Sequence, residues 1–440
     1  MTKVGFISLG CSKNLVDTEV MLRRLHDAGF EITPDETEAE IIIINTCGFI
    51  ESAKQESIDN ILDAEKLKEW GKCRHIIATG CLVERYREEV MRELPEIDAL
   101  VGVGSLEDIA DACRAVMNGE KFVSFKDKNT SKLGGDRILT TADHTAYLKI
   151  AEGCDNKCTY CAIPLIRGKF RSRRIEDIVK EAKDLEELGV KELNLIAQDT
   201  TRYGLDIYGE YSLAKLVRSI CAETNIPWIR LLYCYPDKIT DELIAELRDN
   251  DRLVKYMDIP IQHISDKILT RMNRHGNKAL IKETVEKLRR EVPGIILRTT
   301  AMVGFPGESD DDFTELCEFV KEARFDRFGA FTFSEEEGTA AVELDSKVDP
   351  QIAQDRYDIL MQTQLTITED QSAEKVGKVF EVLCDGFDTV AEIYYGRSYA
   401  DAPDVDGRVY FSSKAKVEAG QFVKVRVTEA LDYDLVGVVE

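Results

Sequence analysis

The stretch Cys154-Asp-Asn-Lys-Cys158-Thr-Tyr-Cys161 places three thiols within eight residues. They are close enough to meet at one metal centre without help from distant sequence. Zinc usually takes four protein ligands, as two Cys-x-x-Cys pairs or their histidine equivalents. Here the third thiol runs into Ala162-Ile-Pro-Leu-Ile-Arg-Gly168, and no cysteine or histidine follows within the next forty residues. Three thiolates with a vacant fourth corner suit an iron–sulfur cube whose last iron is free to bind something else. Buried structural cysteines seldom cluster at ligand spacing, which sets this stretch apart from chance packing.

At 440 residues the chain is long enough for two to four domains, and 44% hydrophobic with 32% charged residues allows real cores. The formal charge of −24 repels phosphate backbones at long range and draws in basic partners. No apolar run nears the roughly 20 residues of a membrane span, so no membrane partner is expected. Met1-Thr-Lys-Val-Gly-Phe-Ile-Ser-Leu-Gly10 reads as a strand rather than a signal peptide. Twelve cysteines in such a chain point to a reducing, cytoplasmic setting and to metal or redox work rather than disulfides.

Residues 1–120 alternate strand and helix: Val4–Leu9, a helical pattern over Asn14–Ala28, Ile41–Ile44, a helix over Glu51–Trp70, His75–Thr79, a helix over Glu84–Leu94, Asp98–Val103, and a last helix from near Ser105. That alternation predicts an α/β domain on a parallel sheet covered on both faces. Cys11, Cys47 and Cys81 follow the first three strands directly, and ligands in such sheets bind at the carboxyl ends of strands. Three thiols far apart in sequence are thereby expected to converge, with flanking glycines easing backbone approach. Cys73 precedes the strand that Cys81 follows. Eight residues at about 3.3 Å each put it roughly 26 Å away, so it is set aside. Cys113 lies in a helical pattern and reads as packing.

Residues 121–145 are a polar, turn-rich connector with no period, expected to mark a boundary with some mobility. Residues 146–375 resume the alternation. Strands are expected at Ala146–Glu152, Glu192–Ala197, Trp228–Tyr235, Tyr256–Ile261, Ile295–Val303 and Arg327–Phe333, with helices between them. Six units predict a partial (β/α)6 barrel, since eight would close it. The loops after each strand should share one face. There, Gln198 and Asp199 in Ala197-Gln-Asp-Thr-Thr201 are suited to hold an amino-acid group. Gly304 and Gly307 in Val303-Gly-Phe-Pro-Gly-Glu308 are suited to admit a flat ring, and Tyr160 to rest against an adenine. Arg167-Gly-Lys-Phe-Arg-Ser-Arg-Arg174 packs five basic residues into eight and is suited to clamp a carboxylate of cofactor or substrate. Asp258-Ile-Pro-Ile-Gln-His263 ends the fourth strand, where His263 serves either the site or its wall. Cys221 and Cys317 read as core; Cys234, near a strand end, leaves both readings open.

Residues 376–440 turn to short strands, Lys378–Cys384, Thr389–Tyr394, Arg408–Phe411, Phe422–Val427 and Leu435–Val439. They predict a small five-stranded antiparallel β-barrel, similar to an OB-fold. This segment carries seven Lys and Arg against twelve Asp and Glu. An RNA-binding surface should be basic, so RNA binding is not favoured and docking to a basic protein fits better.

Taken together, the three segments resemble the methylthiotransferases, a family of radical S-adenosylmethionine enzymes marked by the Cys-x-x-x-Cys-x-x-Cys spacing. Its members join an N-terminal three-cysteine domain, a radical S-adenosylmethionine barrel and a C-terminal TRAM domain, and the resemblance covers essentially the whole chain. The family has a tRNA-modifying branch and a ribosomal-protein branch. Ser8-Leu-Gly-Cys-Ser-Lys-Asn-Leu-Val-Asp17 is similar to the second; the tRNA branch usually has Gly-Cys-Gln-Met-Asn there. Asp258-Ile-Pro-Ile-Gln-His-Ile-Ser265 is also similar to the second, where the tRNA branch favours Gln-Ser-Gly-Ser.

The resemblance implies addition of a methylthio group to the β-carbon of an aspartate in the small-subunit ribosomal protein uS12. The alternative it implies is a tRNA adenosine methylthiotransferase. It further implies two [4Fe–4S] clusters. One sits on Cys154, Cys158 and Cys161, with S-adenosylmethionine at its open iron as the source of a 5′-deoxyadenosyl radical. The other sits on Cys11, Cys47 and Cys81 and carries the sulfur, while a second S-adenosylmethionine gives the methyl. Implied partners are the basic ribosomal protein, free or on the assembled ribosome, and an electron donor such as flavodoxin or ferredoxin. A substrate carboxylate would give the Arg167–Arg174 run its purpose.

Overall fold

The computed structural model describes all residues, 1–440. Its first sheet is six-stranded and wholly parallel, in spatial order Glu31–Thr33, Lys3–Ser8, Ile41–Thr46, His75–Gly80, Ala99–Val101, Phe122–Ser124. The centre is Ile41-Ile-Ile-Ile44, four β-branched residues each fully buried. Burial contributes roughly 1.5–3 kcal/mol for each such side chain. Ile42 and Ile44 pack on one face and Ile41 and Ile43 on the other, so helices cover both sides. The two outermost strands, three residues each, were not expected; they are too short and too exposed to carry a period. The helix expected over Glu84–Leu94 is two, Cys81–Tyr86 and Glu88–Glu93. They break at Arg87, whose φ of 47° no α-helix accommodates.

The second sheet is also six-stranded and parallel, in order Arg327–Thr332, Ile296–Val303, Leu253–Asp258, Trp228–Leu231, Glu192–Ile196, Thr145–Lys149. It is the open barrel the alternation predicts. Residues 146–152 do not form one strand: pairing passes from the barrel sheet to a short hairpin of Ala151–Glu152 with Arg171–Ser172. A helix at Pro350–Ala373, absent from the expectation, covers the Ile296–Val303 and Arg327–Thr332 side.

Residues 379–439 form a closed five-stranded barrel. Its pairs are antiparallel except Val409–Ser412 with Leu435–Val439, which run parallel and complete the closure. Thr389–Glu392 is the turn of the first hairpin, so the second strand is Ile393–Ser398 and not Thr389–Tyr394.

This small barrel is a plug. Arg397 binds Asp385 in two places, at 2.9 and 3.0 Å, and pairs with Glu192, which Arg230 grips at 2.9 and 3.0 Å. Arg327 pairs with Asp401, Tyr147 donates to Asp404 at 2.8 Å, and Tyr256 donates to Asp406 at 2.6 Å. Thr145, Tyr147, Glu192, Arg230 and Tyr256 alternate along their strands with the helix-facing core, so they line the inside of the open barrel. The tail residues 397–406 therefore fill its lower end. Four of the tail's twelve acids and one of its seven bases are spent on this contact, leaving eight acids against six bases elsewhere. The tail's own charge is thus a weaker argument for a basic partner than its composition suggests.

The connector 121–145 is pinned, contrary to the mobility expected of it. Arg137 sits between Glu19 at 2.8 Å and Glu181 at 3.0 Å, so one side chain ties the connector to a helix of each α/β domain. Thr140 N donates to Glu19 at 2.8 Å, and Lys128 bonds Glu84 at 3.1 Å and the Leu165 carbonyl at 2.5 Å. Polarity here reflects buried pairing rather than solvation.

Candidate active site

Cys11, Cys47 and Cys81 come together at the carboxyl edge of the first sheet. Cys11 caps the helix Ser12–Asp27, Cys47 follows Ile41–Thr46, and Cys81 opens the helix after His75–Gly80. Their loops approach closely because glycine stands beside each thiol. A Cβ on Gly10 would lie 2.9 Å from Cys47 Cβ and 3.0 Å from its Sγ; one on Gly48 would lie 2.7 Å from the Leu82 nitrogen. Cys73 packs in the core with its Sγ 3.5 Å from the His75 carbonyl, and Cys113 is wholly buried among apolar side chains.

Cys154, Cys158 and Cys161 lie in the loop after Ala151–Glu152. Cys158 Sγ is 3.0 Å from the Tyr235 hydroxyl, and the Arg274 guanidinium lies 4.0 Å above the Tyr235 ring. The two thiol sets face each other: Cys81 packs against Ala162 and Ile166, in the turn that directly follows Cys161. Arg85 closes the same seam, reaching from the first domain to the Gly48 carbonyl at 2.9 Å and to buried Glu336 at 2.8 Å. The segment Tyr233-Cys234-Tyr235 walls the gap. Tyr233, at φ 61°, lies under Lys13 next to Cys11, while Tyr235 touches Cys158.

Electrostatics separates the six thiols. Burial pushes Cys81 up to about 12 although Arg167 opposes it, and pushes Cys154 up to about 11. Burial likewise raises Cys47 and Cys161. For Cys11 desolvation also acts upward, but Lys13 and Arg167, with backbone hydrogen bonds from Asn14 and Lys13, hold the thiol below its ordinary value. No three His, Cys, Asp or Glu side chains meet at the spacing of a single metal ion. Two sets of three thiols, neither drawn together tightly enough for a single ion, fit a multi-iron cube.

Several expected site residues serve other ends. Arg167 is no free clamp: it is fully buried, bonds Asp17 at 2.5 Å and Glu152 at 3.3 Å, and points its second nitrogen at Cys81 Sγ, 3.3 Å away. The rest of the basic run disperses, Arg171 to backbone carbonyls of the connector and Arg173 to Glu181 at 2.6 Å. Asp199 accepts from Asn156 at 2.8 Å and from Thr201 at 2.7 Å, so it shapes the cysteine loop from behind and offers nothing to a ligand. Gln198 donates to Glu152 at 2.6 Å and keeps one buried oxygen without a partner. Gly304 and Gly307 admit protein rather than a ring. A Cβ on Gly304 would strike Ala353 at 2.4 Å, and one on Gly307 the Arg271 guanidinium at 2.7 Å. Tyr160 stacks edge-on to Phe305 in the wall, its hydroxyl 3.4 Å from Arg274. His263 is fully buried, accepts from Ser265 N at 3.0 Å, and belongs to that wall too. Cys234 is fully buried, 3.5 Å from the Thr200 hydroxyl.

Sequence reading missed Lys13, Asp17, Glu152, Tyr235 and Arg274. Lys13 and Asp17 flank Cys11 in the quoted Ser8–Asp17 stretch, so their positions were visible although their partners were not.

An open parallel barrel with three clustered cysteines on its first loop, joined to a second thiol-bearing α/β domain, defines a radical S-adenosylmethionine enzyme with an added cysteine centre. Residues 148–320 match the radical SAM superfamily, residues 376–439 the TRAM domain, and residues 3–102 a family described as uncharacterized protein family UPF0004. Among solved structures the fold is similar to the radical S-adenosylmethionine methyltransferase TsrM of Kitasatospora setae. Identity is 14%, the TM-score 0.55, and coverage 75% of this chain and 73% of that one. Among relatives, the chain is 49% identical to the ribosomal protein uS12 methylthiotransferase RimO of Thermoanaerobacter sp. (strain X514), over 99% of this chain and 100% of that protein. It is 48% identical to the protein of the same name from Clostridium tetani (strain Massachusetts / E88), over 100% and 99%. The chain belongs to the RimO family of methylthiotransferases. Its cofactors are two [4Fe–4S] clusters and S-adenosylmethionine. No helix is long and apolar enough to cross a membrane.

Proposed function

We propose that this chain adds a methylthio group to the β-carbon of an aspartate in ribosomal protein uS12. In this reading Cys154, Cys158 and Cys161 hold one cluster and Cys11, Cys47 and Cys81 the other. The observation that carries it is the contact of Cys81 with Ala162 and Ile166, which sets the two thiol sets across one gap. When bound, these cofactors supply the one-electron chemistry that breaks an unactivated aliphatic C–H bond, and the sulfur and methyl that replace the hydrogen.

The chain's own residues prepare the gap. Asn156, fixed by Asp199, sets the curve of the Cys154–Cys161 loop. Tyr235 bonds Cys158 and is held from above by Arg274. Arg167 braces Cys81 from the barrel side, with its charge balanced by Asp17 and Glu152. Below, the tail segment 397–406 excludes water; above, the helix Ser12–Asp27 covers the opening, with Val16 packed among Tyr147, Ile196 and Leu232. The partner in this reading is the basic ribosomal protein, with a small reduced electron carrier such as flavodoxin or ferredoxin, in the cytoplasm.

The test is mass spectrometry of uS12 and of tRNA from cells lacking this gene and from complemented cells. Loss and return of a methylthio group on a uS12 aspartate is expected. Loss confined to tRNA overturns the reading in favour of the tRNA-modifying branch.

A further inference from the structure

Lys13 is 7% exposed and holds its ammonium 3.3 Å above the Tyr233 ring, beside Cys11. No carboxylate forms an ion pair or hydrogen bond with its ammonium, which rests on the Tyr233 ring. A buried cation facing only an aromatic ring and a thiol is under-compensated, and such groups persist where a ligand supplies the missing anion. Its neighbours are already committed. Arg167 is bound by Asp17 and Glu152, Lys149 bonds Glu152 at 2.8 Å, and Arg274 donates to the Pro260 carbonyl and to the Tyr160 hydroxyl. Lys13 alone is uncommitted, and it stands at the gap: Tyr233 beneath it is two residues from Tyr235, which touches Cys158.

We infer that Lys13 is the specificity residue that binds the side-chain carboxylate of the substrate aspartate. This rests on the proposed reaction at that aspartate's β-carbon, and it adds the group that recognises the substrate. The carboxylate is bonded directly to the carbon that is modified. A cation at the mouth between the two thiol sets therefore fixes that carbon in the gap while it selects aspartate over its neutral amide. Tyr233, in the left-handed region at φ 61°, is kept there by bonds from its N–H to Asp258 at 3.0 Å and from Thr200 N to its carbonyl at 3.0 Å. The strained backbone holds the ring flat under the ammonium.

The experiment measures affinity of the anaerobically reconstituted full chain for uS12 carrying aspartate, and for uS12 carrying asparagine, at the modified position. It uses wild type, Lys13→Met and Lys13→Arg, with iron content as the check on folding. Wild type should prefer aspartate about tenfold or more, the scale of one charge-assisted hydrogen bond. In Lys13→Met the ratio should fall to near one; in Lys13→Arg, which keeps the charge, a preference should survive. If Lys13→Met loses iron, the comparison rests on Lys13→Arg and Lys13→Gln, with the preference kept by the first and lost in the second. A Lys13 that merely balances thiolate charge would alter both affinities alike and leave the ratio unchanged, which overturns the inference. Wild type that neither binds nor modifies uS12 would instead overturn the reaction itself.

Discussion

Gly10→Ala tests whether the first thiol set is a working ligand set. Gly10 has φ +86°, where an L-residue is disfavoured by roughly 1–2 kcal/mol. The added methyl would also sit 2.9 Å from Cys47 Cβ and 3.0 Å from its Sγ. Carbon contacts settle at about 3.5–4.0 Å, so Cys47 must retreat by about half an ångström or more. Metal–ligand distances tolerate only about 0.2 Å. The proposed N-terminal cluster should therefore be lost while the barrel set, on another loop, is untouched. Iron and acid-labile sulfide should fall to about half of wild type, and methylthio transfer should vanish. Reductive cleavage of S-adenosylmethionine should persist. Gly29→Ala is the control: its φ is +88°, yet nothing lies within 4 Å of the new methyl. It carries the same backbone cost without the clash and should keep its full iron. Full iron and normal product from Gly10→Ala, or equal iron loss from both variants, would refute the reasoning.

Replacing Cys154, Cys158 and Cys161 by alanine should also leave about half the iron, but should abolish deoxyadenosine formation; unchanged iron would remove them as ligands. Arg397→Met strips Glu192 and Asp385 of a shared buried partner and should cost about 3–5 kcal/mol. It should appear as a lower thermal midpoint and a protease-sensitive tail, whereas exposed Lys414→Met should stay within about 0.5 kcal/mol of wild type. Burial pushes His263 down to about 4 and Glu308 up to about 7. Falling pH therefore costs stability through His263 between its ordinary value and 4. The same fall restores stability through Glu308, whose contribution is full below its ordinary carboxylate value and lost as pH rises through 7. Each effect is about 3 kcal/mol by linkage, opposite in sign. His263→Gln removes only the first, so its melting temperature should rise relative to wild type from pH 7 to pH 5. Superimposable pH profiles would contradict this.

The alternation of strand and helix was legible because buried runs such as Ile41–Ile44 and turn residues repeat at domain scale. The cysteines were legible for a geometric reason: each follows a strand, and parallel strands end on one edge. What stayed hidden depends on residues remote in sequence. Gly304 looks permissive, yet only Ala353 on the long helix shows what its missing side chain admits. Arg167 looks like a free clamp until Asp17 and Cys81 arrive from the other domain. Asp199 looks available to a ligand until Asn156 of the cysteine loop, 43 residues away, takes its carboxylate. The connector 121–145 has the composition of a tether, but its charged groups are neutralised by Glu19, Glu84 and Glu181. The helix Pro350–Ala373 buries seven positions at helical spacing, but four of them, Arg356, Gln364, Thr368 and Ser372, are polar and leave no clear apolar stripe.

The floor of the barrel is made from a stretch that is synthesised after the whole of the barrel itself. Arg327, Tyr147 and Tyr256 find their acidic counterparts only when residues 397–406 have emerged. Until then three polar side chains look into an unsealed cup, and water reaches the chamber in which a carbon radical must survive. Protein synthesis itself thus schedules competence: oxygen-sensitive metal loading that runs ahead of termination would equip a vessel with no base.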